Sequence, residues 1–224
     1  MSKILDYIRK NKYCLLLLYW PVHFVWYELM RISHSKMEVL NLHCSLDDLI
    51  PFCEWFIFPY LCWYVYIASM LFYTLYKSKR EFIRTDLLLT GCMLLPMIFC
   101  SLVPNGIEIA MQPDFETLGR DNFAIDLVKK IYAADSPPRC VMPSMHTSVS
   151  WALLFAVVQS ESLKKKRYHQ VCGVIMSVLI TLSTVFIKQH SILDVFAGIG
   201  VAVVVYAIVK ICEINYDKKR LKAL

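Results

Sequence analysis

The most informative stretch of this sequence is Ile192–Ile211, which reads ILDVFAGIGVAVVVYAIVKI. About 20 predominantly apolar residues suffice for an α-helix that crosses the hydrocarbon core of a bilayer. Five similar runs precede it along the chain: Tyr13–Met30, Trp55–Tyr76, Leu87–Pro104, Ser144–Ser160 and Val171–Ile187. We therefore expect an all-α fold, a polytopic membrane helix bundle with six transmembrane helices.

The composition excludes most classes of soluble protein. Of the 224 residues, 58% are hydrophobic and 19% are charged, and the mean hydropathy is +0.50. Soluble globular domains average about 45–50% apolar and about 25% charged residues. Because no repeat or long linker divides the chain, residues 1–224 are expected to form a single membrane-embedded domain, with the catalytic part at about 105–211.

Lysine and arginine alternate between the two sides of the expected membrane. If the N-terminus is cytoplasmic, 17 of the 24 Lys and Arg residues fall on the cytoplasmic side, at both termini and after the second and fourth spans. The positive-inside rule describes this distribution for six spans with both termini in the cytoplasm. The formal net charge of +6 is thus explained by topology, and no nucleic-acid partner is expected.

The first apolar run follows a basic lead-in, as the apolar region of a signal peptide does. Bulky residues, Trp20, Trp26 and Tyr27, stand where a signal peptide has small residues before its cleavage site. We therefore expect the run to be an uncleaved membrane anchor.

The nine cysteines show no CxxC or CxxH spacing. This pattern favours neither a disulfide framework nor a structural zinc site. Most of them lie in apolar runs, so they are expected to serve as small core hydrophobes. No metal ion or other cofactor is expected.

Two segments outside the expected membrane are long enough to carry structure. Arg31–Glu54 is rich in aromatic and acidic residues, and Asn105–Pro143 contains a predicted helix near Phe123–Ala133. Asp47 and Asp48, in the first segment, have two interpretations. They could bind a cation or substrate, but a helix cap before the second span is favoured.

Two histidines, His146 and His190, begin the fourth and sixth spans at the same outer depth. His190 and Asp194 are four residues apart, so on a helix the carboxylate can orient the imidazole. His146 follows Pro143 and Ser144, which is typical of a helix start. Unpaired backbone N–H groups there, together with the Ser144 hydroxyl, would suit a phosphate.

Small side chains at four-residue spacing predict that these two spans approach closely. On the fourth span they are Ser144, Ser148, Ala152, Ala156 and Ser160, and on the sixth His190 is followed by Asp194, Gly198 and Ala202. Close contact would bring His146 and His190 to one site. Either histidine alone is better interpreted as an interfacial polar residue, but the joint pattern favours a site.

These residues resemble the signature of the type-2 phosphatidic acid phosphatase superfamily of membrane enzymes. Its three parts are Lys-x6-Arg-Pro, Pro-Ser-Gly-His and Ser-Arg-x5-His-x3-Asp. Pro143–His146 matches the second part with methionine in place of glycine, and Ser183–Asp194 matches the third with Thr184 in place of arginine. Asn105 and Gln112 stand at the spacing of the two basic residues of the first part.

The resemblance implies a metal-independent phosphoryl transfer from a lipid phosphate. It implies that His190 is the nucleophile that forms a phosphohistidine and that Asp194 orients it. His146 would protonate the leaving lipid oxygen and later activate the acceptor. Ser144 and nearby N–H groups would bind the phosphate oxygens.

The basic residues of the family pattern are replaced here by Asn105, Gln112 and Thr184. Phosphoryl transfer needs positive groups near the equatorial oxygens, so other cations must supply them. The candidates in the outer segments are Arg120, Lys129, Lys130, Arg139 and Lys188. Lys188 and Arg139 are preferred because each lies close in sequence to a motif histidine, and headgroup anchoring is the alternative for each.

Three functions follow from these observations. The preferred one is a lipid phosphatase, and the second is a lipid headgroup phosphotransferase, because the lost basic residues resemble the sphingomyelin and inositol phosphorylceramide synthase branch. The third is a membrane binding protein that has lost activity.

The expected location is a bacterial plasma membrane with the site facing outward. The identity of the lipid, the acceptor and the oligomeric state stay open.

Overall fold

The computed structural model describes residues 9–222, except for the side chains of Arg220 and Lys222. Helices dominate this part of the chain, as expected for an all-α protein. In chain order they are α1 (Tyr19–His34), α2 (Ser45–Leu49), α3 (Ile57–Lys77), α4 (Lys79–Leu102), α5 (Phe123–Ala134), α6 (Met145–Gln159), α7 (Arg167–Phe186) and α8 (Ile192–Lys222). The helix predicted near Phe123–Ala133 is therefore confirmed as α5.

Four helical segments within residues 9–222 are long and apolar enough to cross a membrane: Glu54–Lys77, Lys79–Leu102, Arg167–Phe186 and Ile192–Lys219. The six expected spans are not all confirmed at this length. The first expected span, Tyr13–Met30, is helical, but it is divided between a 3-10 helix, Lys12–Leu18, and α1, which has 16 residues. The fourth, α6, has 15 residues, or about 23 Å of helix.

The short helix α6 forms the centre of the bundle. It packs against α4, α7 and α8, and most of its apolar side chains are buried. Two hydroxyl groups tie it to its neighbours: Ser148 Oγ donates to the Cys92 carbonyl oxygen at 2.9 Å, and Ser177 Oγ donates to the Ser150 carbonyl oxygen at 2.8 Å. Because longer helices enclose α6, it contacts protein rather than lipid along most of its length.

The two small-residue stripes meet where α6 and α8 begin. A Cβ atom on Gly198 would lie 2.7 Å from the Ser144 carbonyl oxygen and 3.0 Å from Thr147 Cβ. The backbone N–H of Ser144 donates to the Asp194 carbonyl oxygen at 3.1 Å. The two helix starts are thus in direct backbone contact, which requires glycine at position 198.

The two outer segments, residues 31–54 and 105–143, are joined by a short pair of strands. Strands β1 (Leu40–Asn41) and β2 (Asn105–Gly106) pair in parallel, with Leu40 opposite Asn105. The Asn105 side chain is fully buried, and its Oδ1 accepts from the backbone N–H groups of Val141 and Met142 at 3.1 and 2.9 Å. This side chain therefore organises the loop that leads into α6.

One expectation about the cysteines is wrong. Cys100 and Cys140 form a disulfide, which ties the end of α4 to the loop before α6. Local spacing rules do not detect this bond because its partners are 40 residues apart. Cys92 is fully buried, as expected of a core residue, whereas Cys62, Cys172 and Cys212 are exposed on the outside of the bundle.

We expect Gly198→Ala to lower the free energy of unfolding by about 1–3 kcal/mol, because the added methyl group would force α6 and α8 apart. The matched control is Gly200→Ala, since a Cβ there would meet no atom within 4 Å. Thermal unfolding of the detergent-solubilised variants measures the difference. Equal stability of the two variants would contradict the close backbone contact.

Candidate active site

His190 and Asp194 form a buried pair at the start of α8. His190 Nδ1 lies 3.3 Å from Asp194 Oδ2, which also accepts the backbone N–H of Ser191 at 3.0 Å. Asp194 is 0% exposed, so its carboxylate is shielded from water and holds the imidazole in one orientation. The four-residue spacing therefore produces the contact expected from the sequence.

The turn before α8 presents His190 to the site. The Thr184 carbonyl oxygen accepts the backbone N–H groups of Gln189 and His190 at 2.9 and 3.1 Å. Lys188 adopts a left-handed conformation with φ of 54°, which reverses the chain between α7 and α8. Thr184, which stands where the family pattern has arginine, is itself completely buried.

Asp47 holds this turn from the outer segment. Its carboxylate accepts the Ile192 backbone N–H at 2.8 Å, the Ser191 hydroxyl at 2.7 Å and the Cys44 backbone N–H at 3.0 Å. Burial raises the pKa of Asp47, but these hydrogen bonds outweigh burial and hold the pKa below its ordinary value. These contacts support the helix cap rather than a cation or substrate site. Asp47 caps two helices, α2, which precedes the second expected span, and α8.

His146 faces His190 across the two helix starts. The centroids of the two rings are 5.7 Å apart, with the ring planes at 68°. His146 stacks on Tyr60 and packs against Trp63 at a tilt, with each ring centroid 4.4 Å from its own. Its Nε2 is buried and makes no hydrogen bond to the described residues, so one ring nitrogen is free for a ligand.

The two histidines open onto a cavity of about 230 Å³. Its charged lining residues are Glu28, Arg31, Asp135 and Arg139. Its polar and aromatic lining includes Tyr27, Tyr60, Tyr64 and Gln189. The cavity thus combines the histidine pair with cations, carboxylates and aromatic rings.

Arg139 is the one predicted phosphate-binding residue that lines this cavity within residues 9–222. Its Nε donates to the His34 carbonyl oxygen at 3.2 Å and its Nη1 to the Pro138 carbonyl oxygen at 3.2 Å. These bonds hold the guanidinium in place and leave its charge without an ion-pair partner among the described residues.

The other predicted phosphate-binding residues face elsewhere. Lys188 Nζ donates to the carbonyl oxygens of Asp47 and Ile50, and burial lowers its pKa. Arg120 pairs with Glu54 at 2.8 Å. These placements do not favour a phosphate contact, and the role of both residues stays a prediction.

Ser144 is completely buried and acts as the N-cap of α6, because its Oγ accepts the Thr147 backbone N–H at 3.3 Å. It contributes to the site through its backbone bond to Asp194. A phosphate contact by the Ser144 hydroxyl is not supported by this placement and also stays a prediction.

Most of the cavity residues were not identified from the sequence, and four of them carry polar groups that bear on the site: Tyr27, Arg31, Asp135 and Gln189. The Tyr27 hydroxyl donates to Asp135 Oδ1 at 3.0 Å, which joins α1 to the segment after α5. Burial raises the pKa of Asp135 to about 6, partly opposed by the hydrogen bond from Tyr27 and by nearby His190 and Arg31. Gln189 Nε2 is buried without a hydrogen-bond partner among the described residues. No local motif marks these positions, since α1 and α5 are distant in sequence.

One group of side chains within residues 9–222 has the composition of a metal site: His34, Cys100 and Cys140. Because the two sulfur atoms form a disulfide, neither is available as a thiolate ligand. His34 Nδ1 lies 3.5 Å from Cys140 Sγ, so this histidine packs against the disulfide.

Comparison with known families agrees with this site. The model of the PAP2 superfamily matches residues 52–208, which is more than half of the chain. The chain belongs to the PAP2 superfamily. The match includes both motif segments, Pro143–His146 and Ser183–Asp194, but it begins after α1. No curated protein and no solved structure matches the chain.

Membership of the PAP2 superfamily supports a phosphatase-type phosphoryl-transfer enzyme in a membrane. Two of the three positions that are basic in the superfamily pattern, Asn105 and Thr184, are completely buried here and serve structural roles. The cations that line the cavity, Arg31 and Arg139, come from other positions. Arg31 lies on α1, outside the matched residues.

We expect Asp47→Ala to loosen the turn that carries His190, because the Ile192 N–H and the Ser191 hydroxyl would lose a buried acceptor, at a cost of about 1–3 kcal/mol. Hydrogen–deuterium exchange of a peptide covering residues 188–194 should become faster. The neighbouring Asp48→Ala is the control, since Asp48 is exposed and pairs with His43 at the surface. Unchanged exchange in Asp47→Ala would show that the cap does not hold the turn.

Proposed function

We propose that this protein is an integral membrane enzyme that transfers a phosphoryl group from a lipid phosphate through a phosphohistidine at His190. The observation that carries the proposal is the convergence of His146 and His190, the latter held by Asp194, on one cavity, with the two imidazole rings 5.7 Å apart. A phosphorus atom between the rings would lie within reacting distance of both.

In the first step, His190 Nε2 attacks phosphorus while Asp194 holds Nδ1 and stabilises the positive charge that develops on the ring. The nitrogen–phosphorus bond forms and the bond from phosphorus to the lipid oxygen breaks. His146 donates a proton to that oxygen as it leaves. A neutral lipid alcohol and a phosphorylated His190 result.

In the second step, His146 takes a proton from the acceptor, which is water or an alcohol, and the acceptor oxygen attacks phosphorus. The nitrogen–phosphorus bond breaks and His190 is restored. Arg139 is the cation that we propose for the equatorial oxygens, because it lines the cavity without an ion-pair partner among the described residues. Gln189 Nε2, which is buried without a hydrogen-bond partner within residues 9–222, offers a further hydrogen bond.

An apolar groove supports a lipid as the substrate. The groove has a volume of about 330 Å³, lies between α1 and α3, and is lined by residues that include Leu17, Trp20 and Ile67. It shares Phe24 and Trp63 with the cavity that holds the histidines. We propose that an acyl chain occupies the groove while the phosphate reaches His190.

The preferred reaction is a lipid phosphatase reaction with water as the acceptor. One observation favours transfer of a headgroup to a lipid hydroxyl as the second candidate: the cavity contains carboxylates, Glu28 and Asp135, beside its two arginines. Each carboxylate repels a phosphate monoester with two negative charges twice as strongly as a phosphodiester with one.

We propose that the cavity faces the outer side of a plasma membrane, as the charge distribution indicates, and we keep the bacterial membrane expected from the sequence. The Cys100–Cys140 disulfide lies at the same end of the bundle as the cavity, which Cys140 lines. Disulfides persist in oxidising compartments. This bond therefore supports an extracytoplasmic position for the site.

The test is an assay of the purified protein on a panel of lipid phosphates that follows both phosphate release and new headgroup lipids. We expect His190→Ala to reduce either activity by about 10³-fold or more. His43→Ala is the matched control, because His43 is a surface histidine that pairs with Asp48. A wild-type protein with no activity on the whole panel, or a fully active His190→Ala protein, would contradict the proposal.

The leaving group separates the role of His146 from that of His190. Because His146 also assists the second step, the first step is measured alone, in a single turnover with excess enzyme. With a lipid donor, His146→Ala should slow transfer of the phosphoryl group to His190 by about 10²–10⁴-fold, since it removes the proton donor. With 4-nitrophenyl phosphate as the donor, the loss in this step, followed as release of nitrophenolate, should be much smaller, because nitrophenolate leaves without a proton. His190→Ala should abolish both reactions. An equal loss in the first step with both donors in His146→Ala would exclude the proton-donor role.

A further inference from the structure

Four residues line both the catalytic cavity and the apolar groove and form a neck between them: Phe24, Trp63, Tyr64 and Met93. On α3, Tyr60 lines the cavity and Ile67 lines the groove, and the two neck residues of this helix lie between them. On α1, Tyr27 lines the cavity and Trp20 lines the groove, with Phe24 between them. A ligand that fills both spaces therefore passes through the neck between its phosphate and its chain.

The neck is closed by protein on one side and open on the other. Trp63 and Met93 are buried, and Trp63 packs against His146 with the ring centroids 4.4 Å apart. Phe24 and Tyr64, by contrast, are exposed on the outside of the bundle. A lipid can therefore enter the neck from the bilayer and contact Trp63 on its buried side.

Trp63 carries a buried hydrogen-bond donor in the wall of the neck. Its Nε1 is buried and makes no hydrogen bond to residues 9–222. By contrast, Trp20, which lines the groove, donates from its Nε1 to Asp86 Oδ1 at 3.4 Å. Trp151 likewise donates to Thr181 Oγ1 at 3.3 Å. A buried N–H without an acceptor is costly, so we expect a bound molecule to supply an oxygen at Trp63.

The groove beyond the neck suits a hydrocarbon chain. It follows α3 from Trp63 to Leu75, which is about 18 Å at the helical rise. Its lining on the other helices is also apolar or aromatic, and includes the ring of Phe82. The indole N–H of Trp20 is not available to a ligand, because it already donates to Asp86. A carbonyl group at the head of a chain is therefore expected in the neck rather than in the groove.

The position of Trp63 beside the histidines indicates which oxygen it meets. The phosphorus atom is proposed to lie between His146 and His190, and Trp63 contacts His146 directly. The indole N–H is thus only a few bonds from phosphorus along the lipid. In an acylated lipid phosphate, the carbonyl oxygen of the ester or amide lies at this point. An ether-linked or isoprenyl phosphate has no carbonyl there.

We infer that Trp63 Nε1 donates a hydrogen bond to the carbonyl oxygen of the acyl chain that enters the groove. Trp63 is then a specificity residue, which favours acylated lipid phosphates over ether-linked and isoprenyl phosphates and exchanges no proton with the substrate. The inference rests on the proposed function and adds to it a residue that recognises the lipid away from its phosphate.

Binding to the His190→Ala protein tests this hydrogen bond without turnover. The probes are dihexanoylphosphatidic acid and its dihexyl ether analogue, both below their critical micelle concentrations. They have the same phosphate and the same number of chain carbons, and they differ in the carbonyl oxygens. We expect the diacyl probe to bind about tenfold more tightly, because it supplies an acceptor to a buried donor.

Adding Trp63→Phe should remove this preference, because phenylalanine keeps a ring against His146 and has no N–H. The control is Trp55→Phe, which removes an exposed indole that stacks on Phe58 outside the cavity and should keep the preference. The measured quantity is the ratio of the two dissociation constants. Its change between variants is independent of how strongly each probe partitions into detergent.

A second variant separates the N–H of Trp63 from the size of its ring. Incorporation of β-(3-benzothienyl)alanine at position 63 replaces the N–H by sulfur and keeps the bicyclic shape. We expect this protein to lose the preference as well. A preference that survives in it, or a ratio that Trp63→Phe leaves unchanged, would overturn the inference, and so would failure of the diacyl probe to bind the His190→Ala protein.

Two further outcomes distinguish failure of this inference from failure of the proposed reaction. If the preference depends on the indole N–H but wild-type protein transfers phosphate from no lipid, the proposed function fails while the carbonyl contact stands. If wild-type protein uses the diacyl and diether phosphates with equal kcat/KM and the His190→Ala protein binds both equally, the proposed function stands and the inference is wrong.

Discussion

The site depends on the backbone contact between the starts of α6 and α8. The Ser144 N–H donates to the Asp194 carbonyl oxygen at 3.1 Å, and Gly198 leaves no side chain to separate the helices. His146 lies two residues after Ser144, and His190 lies four residues before Asp194. This one contact therefore sets the distance between the two imidazole rings. Helix packing in a membrane favours such small-residue contacts because they allow the backbones to approach closely.

Around this contact, buried polar groups serve to position the histidines. Asp47 accepts hydrogen bonds from Ser191 and Ile192, and the Thr184 carbonyl oxygen accepts from His190. Asn105 organises the loop before α6 in the same way. Asn105 and Thr184, which stand where the superfamily pattern has basic residues, thus contribute hydrogen bonds that position the site and contribute no positive charge. The cations in the cavity now come from Arg31 and Arg139.

The pairing of His146 with His190 could be predicted from sequence because it depends on local patterns: helix starts at matched depth and small residues at four-residue spacing. The cavity walls could not. Tyr27 and Asp135 are 108 residues apart, and neither belongs to a motif. Lys188 lies next to the site in sequence but turns away, since its left-handed backbone directs the ammonium to the Asp47 and Ile50 carbonyl oxygens. Sequence distance to a motif histidine therefore did not separate Arg139, which lines the cavity, from Lys188, which does not.

The central claim is that both imidazoles act on one phosphorus atom. An experimental structure of the protein with orthovanadate tests this most directly, because vanadate adopts the geometry of phosphoryl transfer. The account predicts vanadium bonded to His190 Nε2, with the apical oxygen on the opposite side within hydrogen-bonding distance of His146. Vanadate bound elsewhere, or bonded to His190 with His146 turned away from the apical oxygen, would contradict it.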